Sequence, residues 1–293
     1  MPQENDRAAT HEMSLEDLIL PGTPKSVAEA YRSLAERART ARFSLLEEDV
    51  VVLDTETTGL SFKDCELIEI SAARLSGREV VERFETFVDP GRQIPPEIQK
   101  LTGISQIDVA GAPSPKEAVA ALAEFVGGAP VLAHNATFDR TFVEAVPGGA
   151  NVSDTWIDTL SLSRIALPRL SSHRLADMAS AFGCAAVTHN SSDDVDALCG
   201  MWRIILCALT DLPAGLLGYL SRMHEEVDWA FRPVLSGLAL ADEGVRFSLP
   251  AVRARIVAAQ QGHVREDAQE LDRPMQAPSC EEVTNELSAE EIG

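Results

Sequence analysis

Asp54 and Glu56 are the side chains of this sequence best placed to do chemistry. They stand one residue apart in VVVLDTETTGL, Val50 to Leu60, where Val50, Val51, Val52 and Leu53 have the pattern of a strand buried on both faces. Side chains alternate along an extended backbone, so both carboxylates point to one side. Such acids repel each other unless a proton or a cation lies between them, and hard oxygen ligands suit magnesium or manganese. Taken alone, an acid pair of this kind more often caps a strand and faces water.

Two further clusters change that reading. HNATFD, His134 to Asp139, joins a strand end to a helix start, with Asp139 in the first turn. HNSSDD, His189 to Asp194, places His189 just before a helix and Asp194 in its first turn, where exposed backbone N–H groups favour negative charge. Ser191 or Ser192 is the natural N-cap there. Each acid alone is an ordinary helix-start residue and His189 alone an ordinary loop histidine. The ordered set is not ordinary.

Asp54 and Glu56 in DTETTGL, Asp139 in HNATFD, and His189 five positions before Asp194 resemble the three exonuclease motifs of the DnaQ-like family in its DEDDh branch. That family includes the epsilon proofreading subunit of bacterial DNA polymerase III. The similarity runs from about Glu48 to Ala208 and takes in FETFVDPGRQIPPEIQKLTGIS, IDTLSLSR and SHRLADMASAFG. It implies a ribonuclease-H-like fold, two Mg²⁺ or Mn²⁺ ions and removal of nucleotides from a 3′ end. Asp54 would bridge the two ions, about 4 Å apart as in other two-metal sites. Glu56 and Asp194 would complete one ion's shell, and Asp139 would hold the other mainly through water. His189 would act as general base, its ordinary pKa of about 6.5 suiting it to take a proton near neutrality. The resemblance also points to Thr57 and Leu60 as the cradle or wedge for the terminal base, and to Asn135 and Phe138 for the ribose and for stacking. Phe138 is equally a core residue by its pattern.

The elements that must position these groups are legible from periodicity. After the strand at Val50, ELIEISAARL and VVERFETFVDP read as two more strands in an antiparallel meander. IPPEIQKLTG reads as a brief helix ended by Gly103; Ser114, Pro115 and Glu117 read as a capping box before a helix with Val119, Leu122 and Val126 on one face. Pro130 to His134 is a short strand, Thr137 to Val146 a helix, and Trp156 to Asp158 a fifth strand. Helical patterns follow, ending in a long one from about Asp193 to Ala208. Strands first, mixed elements next and helices last predict an α/β domain, a five-stranded mixed sheet flanked by helices.

The chain divides by pattern into an N-terminal extension (1–46), a central domain (47–210) that the resemblance makes the exonuclease domain, a C-terminal helical extension (211–262) and an acidic disordered tail (263–293). The N-terminal extension carries one amphipathic helix starting at Thr23 and Pro24 and running to about Arg42, with Arg37, Arg39 and Arg42 near its end. The C-terminal extension carries helical spacing at Leu216, Leu220, Met223 and Val227, again at Phe231 to Leu238, and a third helix from Ser248 through Ile256.

Composition is that of a globular chain, with 45% hydrophobic and 24% charged residues. Five scattered cysteines without a CxxC pair suggest thiols in a reducing compartment. No apolar run approaches a membrane span and no signal pattern opens the sequence, so a cytoplasmic protein without membrane contact is expected. Residues 47–210 carry 12 basic and 24 acidic side chains, the largest acidic excess in a chain of net charge −21. This charge, partly neutralised by metal, argues against stable coating of a duplex and for weak, short-range contact with nucleic acid. The expected partner is a single-stranded or frayed 3′ end of DNA, with RNA as the alternative substrate. The terminal helices and the acidic charge also suit an interaction module of a polymerase or repair complex. No GxxxxGK[ST] loop is present, so the chain is not its own helicase motor.

Overall fold

A computed structural model describes residues 13–41, 49–77, 79–188, 190–212, 214–223, 227, 229 and 232–241. Its centre is the strand that the valine run predicts, β1 (Val50–Thr57). β2 (Leu67–Ser76) and β3 (Glu79–Phe87) continue from it as an antiparallel meander. After α1 (Leu15–Leu18) and α2 (Lys25–Thr40), which precede the sheet, come α3 (Pro96–Thr102) and α4 (Pro115–Val126). β4 (Val131–Ala133), α5 (Ala136–Ala145) and β5 (Trp156–Asp158) complete the sheet, both strands running parallel to β1. The strand order is β3-β2-β1-β4-β5. This is the five-stranded mixed sheet expected, flanked by helices in an α/β architecture.

The strand core follows from burial on both faces. Val51 and Leu53 share a cluster with Ala118, Val119, Leu122 and Val126 of α4 and with Phe142 and Val143 of α5. The other side is covered after α6 (Thr159–Ala166) and α7 (Leu175–Phe182) by α8 (Ser191–Leu209). This helix contacts β1 and β2 on one side and α2, α6 and α7 on others. It carries Val195, Leu198, Met201, Trp202, Ile205 and Leu206 in the core, apolar around most of its girth as a helix enclosed on several sides must be. Its depth is what lets its first turn reach the end of β1.

Local signals act as read. Ser114 and Glu117 form the capping box of α4, and Gly103 ends α3 at φ 76°, a left-handed value costly for other residues. The N-terminal region departs from the reading. Ser14 and Asp17 cap an additional short helix, α1, too brief to leave a periodic trace. Thr23 does not cap α2; its hydroxyl donates to Leu20 O, and Pro24 occupies the cap position. The arginines expected at the helix end are engaged within the chain. Arg37 pairs with Asp211 and Arg39 with Glu36, while Arg42 lies outside the described residues.

α2 packs on α8, α1 packs on α7, and Ile19 bridges to Leu170. Beyond α8, α9 (Ala214–Arg222) and α10 (Arg232–Ala241) pack against each other, with Leu217, Val234, Leu235 and Leu238 buried. The helix expected from Ser248 and the acidic tail fall outside the described residues. Cys65, Cys184, Cys199 and Cys207 are free thiols. Among the described residues no helix is long and apolar enough to cross a membrane.

Candidate active site

Asp54 and Glu56 emerge where β1 leaves the core, and the turn beyond them is held by short bonds. Thr57 Oγ1 donates to Gly59 O at 2.6 Å, and Thr58 N donates to Glu66 O at 2.8 Å. A side chain at Gly59 would meet Cys65 Sγ at 2.8 Å, and the Cys65 side chain would have to turn away to admit it. Leu60, next in the turn, is 88% exposed. Thr57 is buried and its hydroxyl is committed to the turn, so it shapes the site's edge.

Asp139 comes to the acid pair from α5. Its Oδ1 accepts from Thr55 N at 3.1 Å and from Thr55 Oγ1 at 2.8 Å, the residue between Asp54 and Glu56. Two sequence clusters 84 residues apart are thus joined by direct hydrogen bonds. The start of α5 is set by Asn135, whose φ of 70° is positive, a conformation asparagine tolerates better than most residues. Asn135 N and Ala136 N both donate to Asp158 Oδ1, at 3.0 and 3.2 Å. Asp158 also accepts from Leu160 N and Ser161 N at the start of α6, so one carboxylate caps two helices. Replacing it with alanine removes both caps, at about 1 kcal/mol each, for a loss of about 2 kcal/mol. The melting temperature of Asp158→Ala is expected to fall by several degrees while Asp158→Asn retains most of it; an unchanged melting temperature in Asp158→Ala would remove this role.

His134 is spoken for. Its Nε2 lies 2.9 Å from His173 O and its Nδ1 3.1 Å from Thr159 Oγ1, and burial pushes its pKa below the ordinary histidine value. It buttresses the strand end and is not free to move protons. Phe138 is half-buried against Phe142, ring centroids 4.9 Å apart, and packs on the core cluster.

Asp194 stands in the first turn of α8, largely buried, its Oδ1 accepting from Thr188 N at 3.1 Å. Thr188 Oγ1 also donates to Asp193 Oδ2, tying the preceding loop to the helix. The N-cap is Asn190, whose side chain accepts from Ser192 N and Asp193 N. Neither serine caps the helix, because Ser191 is turned inward and Ser192 Oγ donates to Glu85 on β3. His189 lies outside the described residues; its neighbours Thr188 and Asn190 are both bonded to the first turn of α8.

Electrostatics register the convergence of these acids. Burial pushes the Asp54 carboxyl well above its usual range, and the nearby charges of Asp139, Asp194, Glu56 and Glu69 push it the same way. Glu56 is raised to about 8 by burial and then by Asp194, Glu69 and Asp139. Asp139 is raised to about 7, chiefly by burial, with its Thr55 hydrogen bonds working in the opposite direction. A divalent cation satisfies such a set, since it supplies the positive charge that burial has withheld. Among the described residues no three His, Cys, Asp or Glu side chains stand as a ready-made metal cage. The donors match a hard cation in type and neighbourhood, and their side chains would have to turn inward onto it.

Glu69 and Asp158 were not anticipated. Glu69 interrupts the apolar run LIEIS, and an acid inside a strand buried on both faces was the available signal. Asp158, immediately before a helix, carried only an ordinary cap signal.

A family model described as an exonuclease matches residues 51–201, more than half of the chain. The chain is 36% identical over 194 residues to a DNA polymerase III PolC-type protein of Caldanaerobacter subterraneus subsp. tengcongensis, covering 64% of this chain and 14% of that protein. It is 37% identical over 150 residues to the PolC-type protein of Clostridium perfringens, covering 50% and 10%. The matched stretch is therefore a small part of these longer relatives. Among solved structures, a zinc-bound complex of Escherichia coli exonuclease I with single-stranded DNA shares the fold, with TM-score 0.50 and 18% identity over 61% of this chain and 44% of that one. Together with the ordered acids on β1, α5 and α8, the family match identifies this chain as a member of the exonuclease family, that of the DnaQ-like 3′–5′ exonucleases.

Proposed function

We propose that the protein is a metal-dependent 3′–5′ exonuclease of the DEDDh type that hydrolyses the terminal phosphodiester of DNA and releases nucleoside 5′-monophosphates, in replication proofreading or repair. The observation that carries this reading is the gathering of Asp139 and Asp194 around Asp54 and Glu56 at the end of β1, where the charges of Asp139 and Asp194 add to burial in raising the Asp54 and Glu56 carboxyls. Asp54, Glu56, Asp139 and Asp194 would hold two Mg²⁺ or Mn²⁺ ions. When bound, such ions lower the pKa of water and stabilise charge on the departing oxygen.

The chain's own groups do the rest. His189 accepts a proton from the attacking water as its oxygen bonds to phosphorus; the P–O3′ bond breaks, and the leaving 3′ oxygen takes up a proton from solvent. Asp139, with Oδ1 held by Thr55, keeps Oδ2 for the site. Leu60 lies open to solvent at the edge of the acids and suits contact with the terminal base, and Asn135, exposed at the head of α5, suits the ribose. Phe138 offers at most the edge of a ring already packed on Phe142.

DNA as substrate, and a polymerase or repair complex as partner, are supported by the PolC-type relatives. The test is digestion of 5′-labelled single-stranded DNA, single-stranded RNA, and DNA duplexes with paired or mismatched 3′ ends, with Mg²⁺, with Mn²⁺ or with chelator. Metal-dependent shortening from the 3′ end is expected, faster for single-stranded and mismatched ends than for paired ones. Faster shortening of RNA would move the substrate to RNA, and no metal-dependent shortening of either would overturn the reading.

A further inference from the structure

The two rungs of the sheet that carry the acid pair have partners on β2. Ser71 lies opposite Asp54 and Glu69 lies opposite Glu56 in the antiparallel register. Both partners reach the same atom of α8. Ser191 Oγ is 2.6 Å from Glu69 Oε2 and 2.6 Å from Ser71 Oγ. A hydroxyl carries one proton, so with Ser191 donating to Glu69, Ser71 donates to Ser191. Ser191 N also points to Glu69 Oε2, at 3.4 Å. All three side chains are buried, with Ser191 at 0%, Ser71 at 1% and Glu69 at 7% exposure.

Placing an acid beside Asp54 and Glu56 is unfavourable in itself. Glu69 adds to the charge that raises both neighbours, and two acids directly across a strand pair repel. Its position is explained by what it holds. Ser191 is the first residue of α8, three residues before Asp194, so a bond at Ser191 sets both the rotation of the helix about its axis and its depth against β2. Neighbouring bonds, Ser192 donating to Glu85 and Arg83 donating to Asp196, fix the start of the helix to β3 on the more exposed side. The Glu69 bond is the buried end of this clamp, on the rungs of the acid pair itself.

We propose that Glu69 is a positioning residue of the metal site, acting through Ser191 to set where the Asp194 carboxylate stands relative to Asp54 and Glu56. It rests on the metal-dependent reading above and adds a role for a carboxylate that is not itself a ligand. Groups that orient ligands from behind commonly change metal affinity or activity by about 10- to 100-fold when removed.

Two substitutions separate the hydrogen bond from the charge. Glu69→Gln removes the charge and keeps an acceptor oxygen for Ser191; Ser191→Ala keeps the charge and removes the donor. Mn²⁺ binding to the full chain is measured by calorimetry, alongside kcat and KM on a single-stranded DNA oligonucleotide, with circular dichroism to check folding. Ser191→Ala and Glu69→Ala are expected to weaken Mn²⁺ binding by about 10-fold or more and to lower kcat, with KM within about threefold, while Glu69→Gln stays close to wild type on every measure. Should Glu69→Ala fail to fold, the other two variants decide. Wild-type Mn²⁺ affinity in Ser191→Ala would overturn the proposal, as would a loss in Glu69→Gln as large as in Ser191→Ala. A wild-type chain that binds no Mn²⁺ would instead remove the metal-dependent reading, and this proposal with it.

Discussion

His189→Ala is expected to lower turnover by about 100-fold or more while leaving Mn²⁺ affinity within a few fold of wild type, the effect of removing a general base that is not a ligand. The four acids belong to β1, α5 and α8, and their mutual repulsion would remain whatever stands at position 189. Among the histidines in the two motif clusters, His134 is excluded as the base, since both its ring nitrogens are engaged and burial disfavours its charged form. His189 is left as the histidine of the motifs. At saturating Mn²⁺ the rate should fall on the acidic side in the wild type, and that limb should vanish in His189→Ala. Calorimetry with Mn²⁺ gives the second readout. Loss of Mn²⁺ binding in the variant would make position 189 a structural or ligand position and defeat the assignment.

The acids of this site were legible in the sequence because each belongs to a local pattern. Asp54 and Glu56 close a valine run, Asp139 and Asp194 open helices, and such patterns are short enough to be read without tertiary information. The same holds for the sheet, whose strands are bounded by turn residues and whose meander needs no long connection. What escaped depends on contacts between distant residues. Ser191 looked like an N-cap because serine before a helix commonly caps it, but the cap is Asn190 and the serine faces Glu69, 122 residues away. Nothing near Ser191 in the chain marks that choice. Asp158 serves α6 as a local cap, and its second service to α5 comes from across two adjacent strands. Leu60 and Phe138 show the limit from the other side. Both are apolar residues in motif positions, and only the packing separates the exposed leucine from the phenylalanine set against Phe142.

Saturating Mn²⁺ or Mg²⁺ is expected to raise the melting temperature, and to raise it more at about pH 8.5 than at about pH 5.5. The sign follows from the carboxyls. Glu56 is raised from 4.5 to about 8, Asp139 from 3.8 to about 7, and Asp54 in the same direction, by burial first in each and by neighbouring carboxylates next. Between those ordinary values and the raised ones, the folded metal-free chain holds more protons than the unfolded chain. Its stability from these groups is therefore complete below their ordinary values and is lost as pH rises through about 7 to 8. A cation replaces the protons, so its contribution is small where they are bound and large where they have left. One site at 100-fold excess over its Kd contributes about 2.7 kcal/mol, which for a domain of this size is a shift of about 5 to 10 °C. Glu56→Gln removes from the cluster a charge that is largely present at about pH 8.5. Without metal it should melt higher than wild type at about pH 8.5, and it should gain little from Mn²⁺. Melting curves in chelator and in metal at both pH values test this. Equal metal shifts at the two pH values would show that protons and cation do not compete for the cluster, and no shift at either would take the cation out of the site.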